Sequence, residues 1–332
     1  MGAPNRWDLS RGPFGPIVTG MTLAPNTPVL TRPHVAALAF DGPDAASFLH
    51  NQVSTDVEAM VPGAVRWTSY NSPKGRMLAT LLLWRRSADG FVAFVASDLA
   101  DALGKRLSMF VLRANLKVAS LAGTVLGIGG PGARLAVEDA LGCAPEPGHG
   151  AALEAADIVA TPDGRYLVRA AADRADALRV RLALPEAASD RWDWLGIRAG
   201  VPSVTQATQD LFVPQTANYD LVGGIDFRKG CYPGQEIIAR VQYLGRLKER
   251  LFAFHVDGDP PAPGSPLVAG SDAIGTVMNA AAAPEGGSDL LAVVSWSAAA
   301  AGGLRTIDGS ALTPLALPYA VPEPATPSRV KL

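Results

Sequence analysis

One local pattern occurs twice in this chain of 332 residues. An Asp-Gly turn at residues 89–90 leads through an apolar stretch to ASD at 96–98 and ADAL at 100–103. A second Asp-Gly turn at 163–164 leads in the same way to AAD at 171–173 and ADAL at 175–178, offset by 74 and then 75 residues. Each copy predicts a turn, a strand and a capped helix, which is the pattern that two related α+β modules would give. Alanine-rich helices also match by chance, so two unrelated modules are the alternative.

A β-hairpin is predicted just before the first copy of the repeated pattern. Residues 64–70 and 77–84 read as two strands, joined by Ser72-Pro73-Lys74-Gly75. Serine at i, proline at i+1 and glycine at i+3 are typical of a type I turn, which puts Lys74 and Arg76 at the hairpin tip. Residues 91–96 predict a third strand, and Asp98 is the expected cap of a helix that reaches about Val111.

The pattern changes near residue 246. Short β-type segments at 251–256, 274–278, 290–296 and 312–317 are separated by turns rich in Gly, Pro and Asp, which favours a small antiparallel barrel or sandwich. We therefore divide the chain into a flexible N-terminal segment (1–28), a region of two α+β modules (29–245), a C-terminal β-barrel domain (246–320) and a tail (321–332).

Composition narrows the class of protein. Apolar residues make up 48% and charged residues 18%, so the chain can bury a core. The net charge is −2, so no basic field indicates a nucleic-acid partner. The longest clean apolar run, residues 77–84, is far below the roughly 18 residues of a membrane span, and residues 1–20 lack the pattern of a secretory signal. We expect a cytoplasmic monomer without a membrane or direct nucleic-acid partner.

Three common kinds of site are disfavoured. GIGGPG at 127–132 matches G-x-G-x-x-G, but residues 142–150 form a loop where a dinucleotide site needs a second strand ending in an acid. The four histidines and two cysteines show no metal-ligand spacing, so no metal is expected. A Ser–His–Asp hydrolase stays possible from residue order alone, but the chain has no G-x-S-x-G elbow.

The segment around Cys231 is the densest in chemistry. Pro233 is a natural first residue of a helix, so Cys231 is predicted just before a helix N-terminus and two residues from Lys229. The helix dipole and the ammonium would both favour the thiolate form. Gly230 and Gly234 would let a ligand or partner approach. The alternative is that Cys231 is a small buried residue and the glycines only form the turn.

The octapeptide KGCYPGQE at 229–236 resembles the K-G-C-[FY]-x-G-Q-E signature of the folate-binding YgfZ family, which is related to the glycine-cleavage aminomethyltransferase (T-protein). Other segments resemble the family in the same order, and the likeness covers about residues 30–320: FLHNQVSTDV at 48–57, PKGRM at 73–77, AGVP at 199–202, FVPQ at 212–215 and GG at 223–224.

The resemblance implies a T-protein-like α+β fold, with duplicated modules around a central folate cavity and a small C-terminal β-barrel. It implies tetrahydrofolate or a derivative as cofactor, Cys231 as the residue required for activity, and transient contact with an iron–sulfur cluster. The folate-binding residues that we predict with it are Asn71, Lys74, Arg76, Arg198, Lys229, Gly230, Tyr232, Gly234, Gln235, Glu236 and Arg240.

The chain departs from the relatives in two places. Where the aminomethyltransferase has an acidic pair after the hairpin, this chain has Ala79 and Thr80, so aminomethyl transfer is disfavoured. Where relatives commonly have Glu, this chain has Arg198, which cannot accept hydrogen bonds from a pterin but could pair with the glutamate carboxylates of a folate.

Two functions are therefore open. The first is a folate-binding accessory protein that supports iron–sulfur cluster assembly or repair in client enzymes, including those that modify tRNA, with client or carrier proteins as partners. The second is a folate-dependent C1-transfer or demethylating enzyme that uses an unidentified base.

Overall fold

The structure is a computed structural model that describes residues 27–243 and 247–324, so the predicted N-terminal segment and tail lie almost wholly outside the described residues. The described strands are β1 (Val29–Thr31), β2 (Val35–Asp41), β3 (Val65–Asn71), β4 (Met77–Arg85), β5 (Gly90–Ala96), β6 (Lys117–Leu121), β7 (Thr124–Gly129), β8 (Gly150–Ala152), β9 (Ala156–Ala160), β10 (Tyr166–Ala170), β11 (Glu249–Val256), β12 (Pro266–Ala269), β13 (Asp272–Ala282), β14 (Ser288–Ser295), β15 (Arg305–Thr306) and β16 (Leu312–Leu315). The described α-helices are α1 (Ala45–His50), α2 (Ser97–Val111), α3 (Ala133–Leu141), α4 (Ala172–Leu182), α5 (Asp190–Arg198), α6 (Gln235–Tyr243) and α7 (Trp296–Ala301).

The first sheet is built around the predicted hairpin. Its five strands are antiparallel in the order β3-β4-β5-β2-β6. The turn is closed by a 2.9 Å hydrogen bond from the Gly75 amide to the Ser72 carbonyl, and Gly75 has a φ of +72°. Glycine adopts this left-handed conformation without steric cost. Lys74 and Arg76 are exposed at the tip, as predicted.

Both faces of the first sheet are buried. Along β4, Leu81 and Leu83 join one apolar cluster, whereas Leu82 and Trp84 join another. Successive side chains of a strand point to opposite faces, so the nearly continuous apolar run of β4 serves two cores at once. The first cluster continues into α5, β11, β13 and β14, and the second continues into β7, β9 and β10. The first sheet therefore packs between the second sheet and the C-terminal one.

The second sheet has the order β1-β7-β10-β9-β8, and α3 and α4 pack on it. The GIGGPG segment follows from β7, which is antiparallel to both of its neighbours and so differs from the parallel βαβ unit of a dinucleotide site. Gly127 is needed for packing, because a Cβ there would lie 2.6 Å from the Trp192 ring.

Both copies of the repeated pattern fold as a strand that runs directly into a helix, β5 into α2 and β10 into α4. The predicted cap at Asp98 was wrong. Ala96, the last residue of β5, and Ala171, the one residue between β10 and α4, occupy the cap positions, and the Asp98 carboxylate instead accepts a 2.9 Å hydrogen bond from the Gln206 backbone amide. Duplication of the two modules stays a prediction.

The third sheet is a curled six-stranded sheet in the order β15-β12-β13-β14-β11-β16. A bridge between Arg305 and Ala311 brings its two edges together. The four segments predicted as strands are β11, β13, β14 and β16, whereas β12 and β15, at 4 and 2 residues, are too short for a periodic signal. The predicted boundary near residue 246 falls at the undescribed residues 244–246 and stays a prediction.

Within the described part of the chain, no helix combines the length and the apolar character that crossing a bilayer requires.

Candidate functional site

A buried lysine anchors the signature loop, residues 229–234, to the end of α1. The Lys229 ammonium donates hydrogen bonds to the backbone carbonyls of His50 and Val53, the latter at 2.7 Å, just beyond the C-terminal end of α1. It also lies 4.8 Å from the centre of the Tyr232 ring. Carbonyl groups at a helix C-terminus carry partial negative charge, so they are suitable partners for a buried cation. The Lys229 amine, predicted to bind folate, is thus committed to the protein backbone.

Burial shifts the pKa values of Lys229 and Tyr232, which lie on either side of Cys231 in the sequence. Desolvation lowers the pKa of Lys229 from 10.5 to about 8, although the nearby carboxylates of Asp56 and Asp226 oppose the shift. Desolvation, assisted by Asp226, raises the pKa of Tyr232 to about 12. Burial therefore disfavours the ammonium form of Lys229 and the phenolate form of Tyr232, because both charged forms lose contact with water.

The signature loop meets the hairpin turn at two glycines. Gly234 has a φ of +79°, and a Cβ there would lie 2.7 Å from the Gly75 Cα. A Cβ on Gly75 would in turn lie 2.8 Å from the Ile237 side chain. The two backbones approach so closely that neither position has room for a side chain. The glycine of the signature is therefore explained by contact with the hairpin.

The helix after the loop begins later than predicted. Pro233 is not its first residue, because Tyr232 and Gly234 accept the first hydrogen bonds of a turn that becomes helical at Gln235. Cys231 lies four residues before α6, too far to gain the expected stabilisation from the helix dipole, which acts within the first turn.

Cys231 is exposed, while Lys229 and Tyr232 are 8% and 7% exposed. The alternative of a small buried cysteine is thereby excluded. Gly230 faces His50, since a Cβ there would lie 3.2 Å from the imidazole Nε2. The other imidazole nitrogen lies 3.2 Å from the Asp56 carboxylate, without the alignment of a hydrogen bond.

The hairpin side chains have three different environments. Lys74 is exposed on the turn. Arg76 donates a 2.6 Å hydrogen bond to the Leu211 carbonyl, which ties the hairpin to a segment distant in sequence. Asn71 is 1% exposed, and neither atom of its amide has a hydrogen-bond partner among the described residues. An unpaired buried amide costs about 1–3 kcal/mol, so it is a candidate contact for a bound molecule or water.

The helix α6 carries three of the predicted residues. Gln235 donates a 3.4 Å hydrogen bond to the Lys229 carbonyl, which closes the loop that holds Cys231. Glu236 and Arg240 are exposed, four residues apart on one side of the helix. The structure thus brings the hairpin residues and the signature residues into one region.

Arg198 is the exception. It lies at the end of α5, where its guanidinium is 3.5 Å from the Asp289 carboxylate of β14. Asp289 is buried and also accepts hydrogen bonds from the indole of Trp194 at 2.9 Å and from the imidazole of His255 at 2.8 Å. The structure therefore explains Arg198 as part of a polar network between α5 and the third sheet, away from the other predicted residues.

A cavity of about 410 Å³ lies elsewhere. Its wall includes residues of β3, β4, β5, β10, α5 and β13, so all three sheets contribute. None of the predicted folate-binding residues lines it. Its aromatic and polar lining includes the side chains of Trp67, Thr80, Arg165, Trp192, Asp193 and Asn279.

Sequence reasoning missed Asp193. It stands between two buried tryptophans of α5: Trp192 lies in the apolar cluster between the first and second sheets, and Trp194 in the cluster between the first and third. An acidic residue held between two such anchors was the available signal. Asp193 is exposed, although desolvation by the surrounding protein raises the pKa of its carboxyl group, against the opposing charges of His34 and Arg165.

Within the described residues, no group of three His, Cys, Asp or Glu side chains is arranged to hold a metal ion.

Comparison with known proteins defines the fold class first. No family model matches the chain. Among solved structures, the glycine cleavage system aminomethyltransferase T from Bartonella henselae is similar with a TM-score of 0.71 at 17% identity, covering 87% of this chain and 85% of that one. The fold is therefore that of a T-protein-like aminomethyltransferase.

Curated relatives define the family. The tRNA-modifying protein YgfZ of Edwardsiella ictaluri (strain 93-146) is 31% identical over 295 residues, which are 84% of this chain and 88% of the relative. The protein of the same name from Klebsiella pneumoniae (strain 342) is 29% identical over 232 residues, 68% of this chain and 70% of the relative. This chain belongs to the YgfZ family, as its signature predicted.

The glycine contact can be tested by Gly234→Ala. We expect a loss of about 3 kcal/mol or more in the free energy of unfolding, measured by urea denaturation, since the methyl group adds a clash to the left-handed strain. Gly223→Ala is the matched control: it also has a positive φ, +77°, but its Cβ would meet no atom within 4 Å, so about 1 kcal/mol is expected. Equal losses in the two variants would contradict the contact.

The buried ammonium predicts a pH dependence of stability. The folded-state pKa of Lys229 is about 8 and the unfolded one about 10.5, so between these values the unfolded chain binds more protons and stability rises with pH. Relative to Lys229→Met, the free energy of unfolding should increase by about 1–2 kcal/mol from pH 7.5 to 9.5. A difference that does not change with pH would show that the amine titrates normally.

Proposed function

We propose that this chain is a folate-binding accessory protein that supports the assembly or repair of iron–sulfur clusters in client enzymes, including enzymes that modify tRNA. The observation that carries the proposal is the presentation of Cys231. Its thiol is exposed on a loop whose other residues are anchored by the Lys229 ammonium, by the buried Tyr232 ring and by the contact of Gly234 with the hairpin. An exposed thiol on a rigid loop suits contact with a cluster or thiol of another protein.

The central cavity supports the folate part of the proposal. Its volume of about 410 Å³ lies within the usual range of small-molecule sites, and aromatic rings with a few polar groups are the usual lining of such sites. Trp67 and Trp192 would hold the flat ring, while Arg165 and Asp193 would supply charge and hydrogen bonds. When bound, a reduced folate provides a carrier for one-carbon groups.

The chemistry of β4 argues against aminomethyl transfer. Ala79 is buried and has no functional group, and the Thr80 hydroxyl accepts a 3.0 Å hydrogen bond from the Val204 amide. Neither side chain can serve as a general base at the cavity wall. The accessory function is therefore favoured over a folate-dependent transferase.

The proposed partners are iron–sulfur client or carrier proteins that meet the Cys231 loop. The hairpin residues Lys74 and Arg76 lie in the same region as the loop and offer positive charge to an anionic ligand or to an acidic partner surface. We further propose a cytoplasmic monomer in which the two α+β modules arose by duplication.

Folate binding is tested by anaerobic calorimetric titration with tetrahydrofolate. We expect micromolar or tighter binding, about −8 kcal/mol or better. Ser97→Trp, at the cavity wall, should abolish binding by filling the cavity, whereas Ser108→Trp, exposed further along α2, should not. No binding at millimolar ligand would refute the folate site. Conversion of the ligand to a methylene or methyl adduct with an amine or methylated donor would support the transferase instead.

The thiol is tested by Cys231→Ser in cells that lack the native protein. We expect loss of iron–sulfur enzyme activity and folate affinity within twofold of the unmodified chain, because the thiol lies outside the cavity wall. Cys143→Ser, which changes the other free cysteine, should retain client activity. Full client activity with Cys231→Ser would refute the role of the thiol.

A further inference from the structure

Three large apolar side chains around the C-terminal end of α2 are exposed to solvent. Met109, Phe110 and Leu112 are 65%, 46% and 87% exposed. The other large apolar side chains of comparable exposure in the described part of the chain stand singly along the sequence. Single exposed apolar residues are ordinary on a protein surface, whereas several together are typical of a surface that another molecule covers.

The backbone at Leu112 is strained. Its φ is +41°, a positive value that glycine adopts freely and that other residues adopt at a cost in free energy. Because the side chain is almost fully exposed, packing within the described chain does little to offset this cost. A strained backbone that holds an apolar side chain in water is explained if that side chain packs against a partner.

The same segment is basic. Residues 102–121 contain four basic side chains and no acidic one, although the net charge of the whole chain is −2. Arg106 donates a 2.9 Å hydrogen bond to a tyrosine hydroxyl of β3. The side chains of the other three are exposed and form neither an ion pair nor a hydrogen bond with any described residue: Lys105, Arg113 and Lys117. This surface therefore complements a partner that carries carboxylates.

The basic segment ends in an edge strand. β6 pairs with β2 on one side, and no described residue pairs with its other side. None of its five residues is buried. Alternate backbone N–H and C=O groups of an edge strand point away from the sheet and can pair with another extended segment. Only a polypeptide supplies the matching backbone groups, which favours a protein partner over a lipid surface or a nucleic acid.

We propose that the exposed side chains of residues 105–121 and the free edge of β6 form a docking surface for an extended acidic segment of another protein. The segment adds a strand to β6, its carboxylates meet Lys105 and Arg113, and its apolar side chains cover Leu112 and the neighbouring apolar residues. This surface shares no residue with the cavity wall or the signature loop, so it goes beyond the function proposed above and does not depend on it.

The test is a fluorescence anisotropy titration of a labelled heptapeptide of alternating glutamate and valine with the full chain. We expect saturable binding below about 1 mM protein that weakens as salt is added, because exposed charges are screened. A heptapeptide of alternating lysine and valine should not bind. With the glutamate peptide bound, hydrogen exchange of the backbone amides of residues 117–121 should slow by roughly tenfold or more, since strand addition occupies them.

Leu112→Gly and Arg113→Glu should each weaken binding of the glutamate peptide by about fivefold or more. Glycine relieves the backbone strain, so the melting temperature of Leu112→Gly should be no lower than that of the unmodified chain, which separates lost binding from unfolding. Val180→Ala and Arg181→Glu are the matched controls, since they change an exposed apolar and an exposed basic residue of α4. Both controls should bind within about twofold of the unmodified chain.

Weaker binding in the two α2–β6 variants alone, together with slower exchange in β6, supports the docking surface. Absence of saturable binding overturns it, as does equal weakening in the α4 variants or unchanged exchange in β6. Binding of phosphatidylglycerol vesicles or polyuridylic acid in place of the peptide, lost in Leu112→Gly, would assign the surface to a membrane or a nucleic acid and overturn it. A concentration-dependent dimer that Leu112→Gly abolishes would assign the surface to a second copy of the chain and also overturn it.

Discussion

The two-sided burial of the first sheet is the constraint on which the rest of the structure depends. Alternate residues of β4 serve two separate apolar cores, one shared with the second sheet and one shared with α5 and the third sheet. Each large apolar side chain buried in this way contributes about 1.5–3 kcal/mol, so both neighbours are held by the same strand. The cavity lies where these three sheets and α5 meet, and its position follows from that packing.

The same hairpin joins the two regions on which the proposed function rests. Trp67 on β3 and Thr80 on β4 contribute to the cavity wall, while the turn between these strands receives Gly234 of the signature loop. The exposed thiol and the cavity are thus separate places on one hairpin. In the proposed function, a ligand in the cavity and a partner at Cys231 would not compete for the same residues.

The signature loop shows how burial and exposure are combined. Lys229 is removed from water at an electrostatic cost that lowers its pKa, and two backbone carbonyls near the end of α1 offset part of that cost. Buried charged groups are destabilising unless they are paired in this way. The outcome is local: residues on either side of Cys231 are buried and anchored, and the cysteine itself remains exposed.

Local signals in the chain were enough to predict the hairpin and its turn, four strands of the third sheet, and the family. These depend on turn chemistry, short-range periodicity and a motif, all of which act between residues near in sequence. Local signals did not predict the partner of Asp98, the start of α6 or the surroundings of Arg198. These depend on contacts with residues distant in sequence, namely Gln206, Gly75 and Asp289. Asp193 stands between two tryptophans in the sequence, but its place in the cavity wall could not be predicted locally, because that wall exists only after the three sheets have packed together. Long-range packing decides which polar groups are satisfied by the protein and which remain for a ligand.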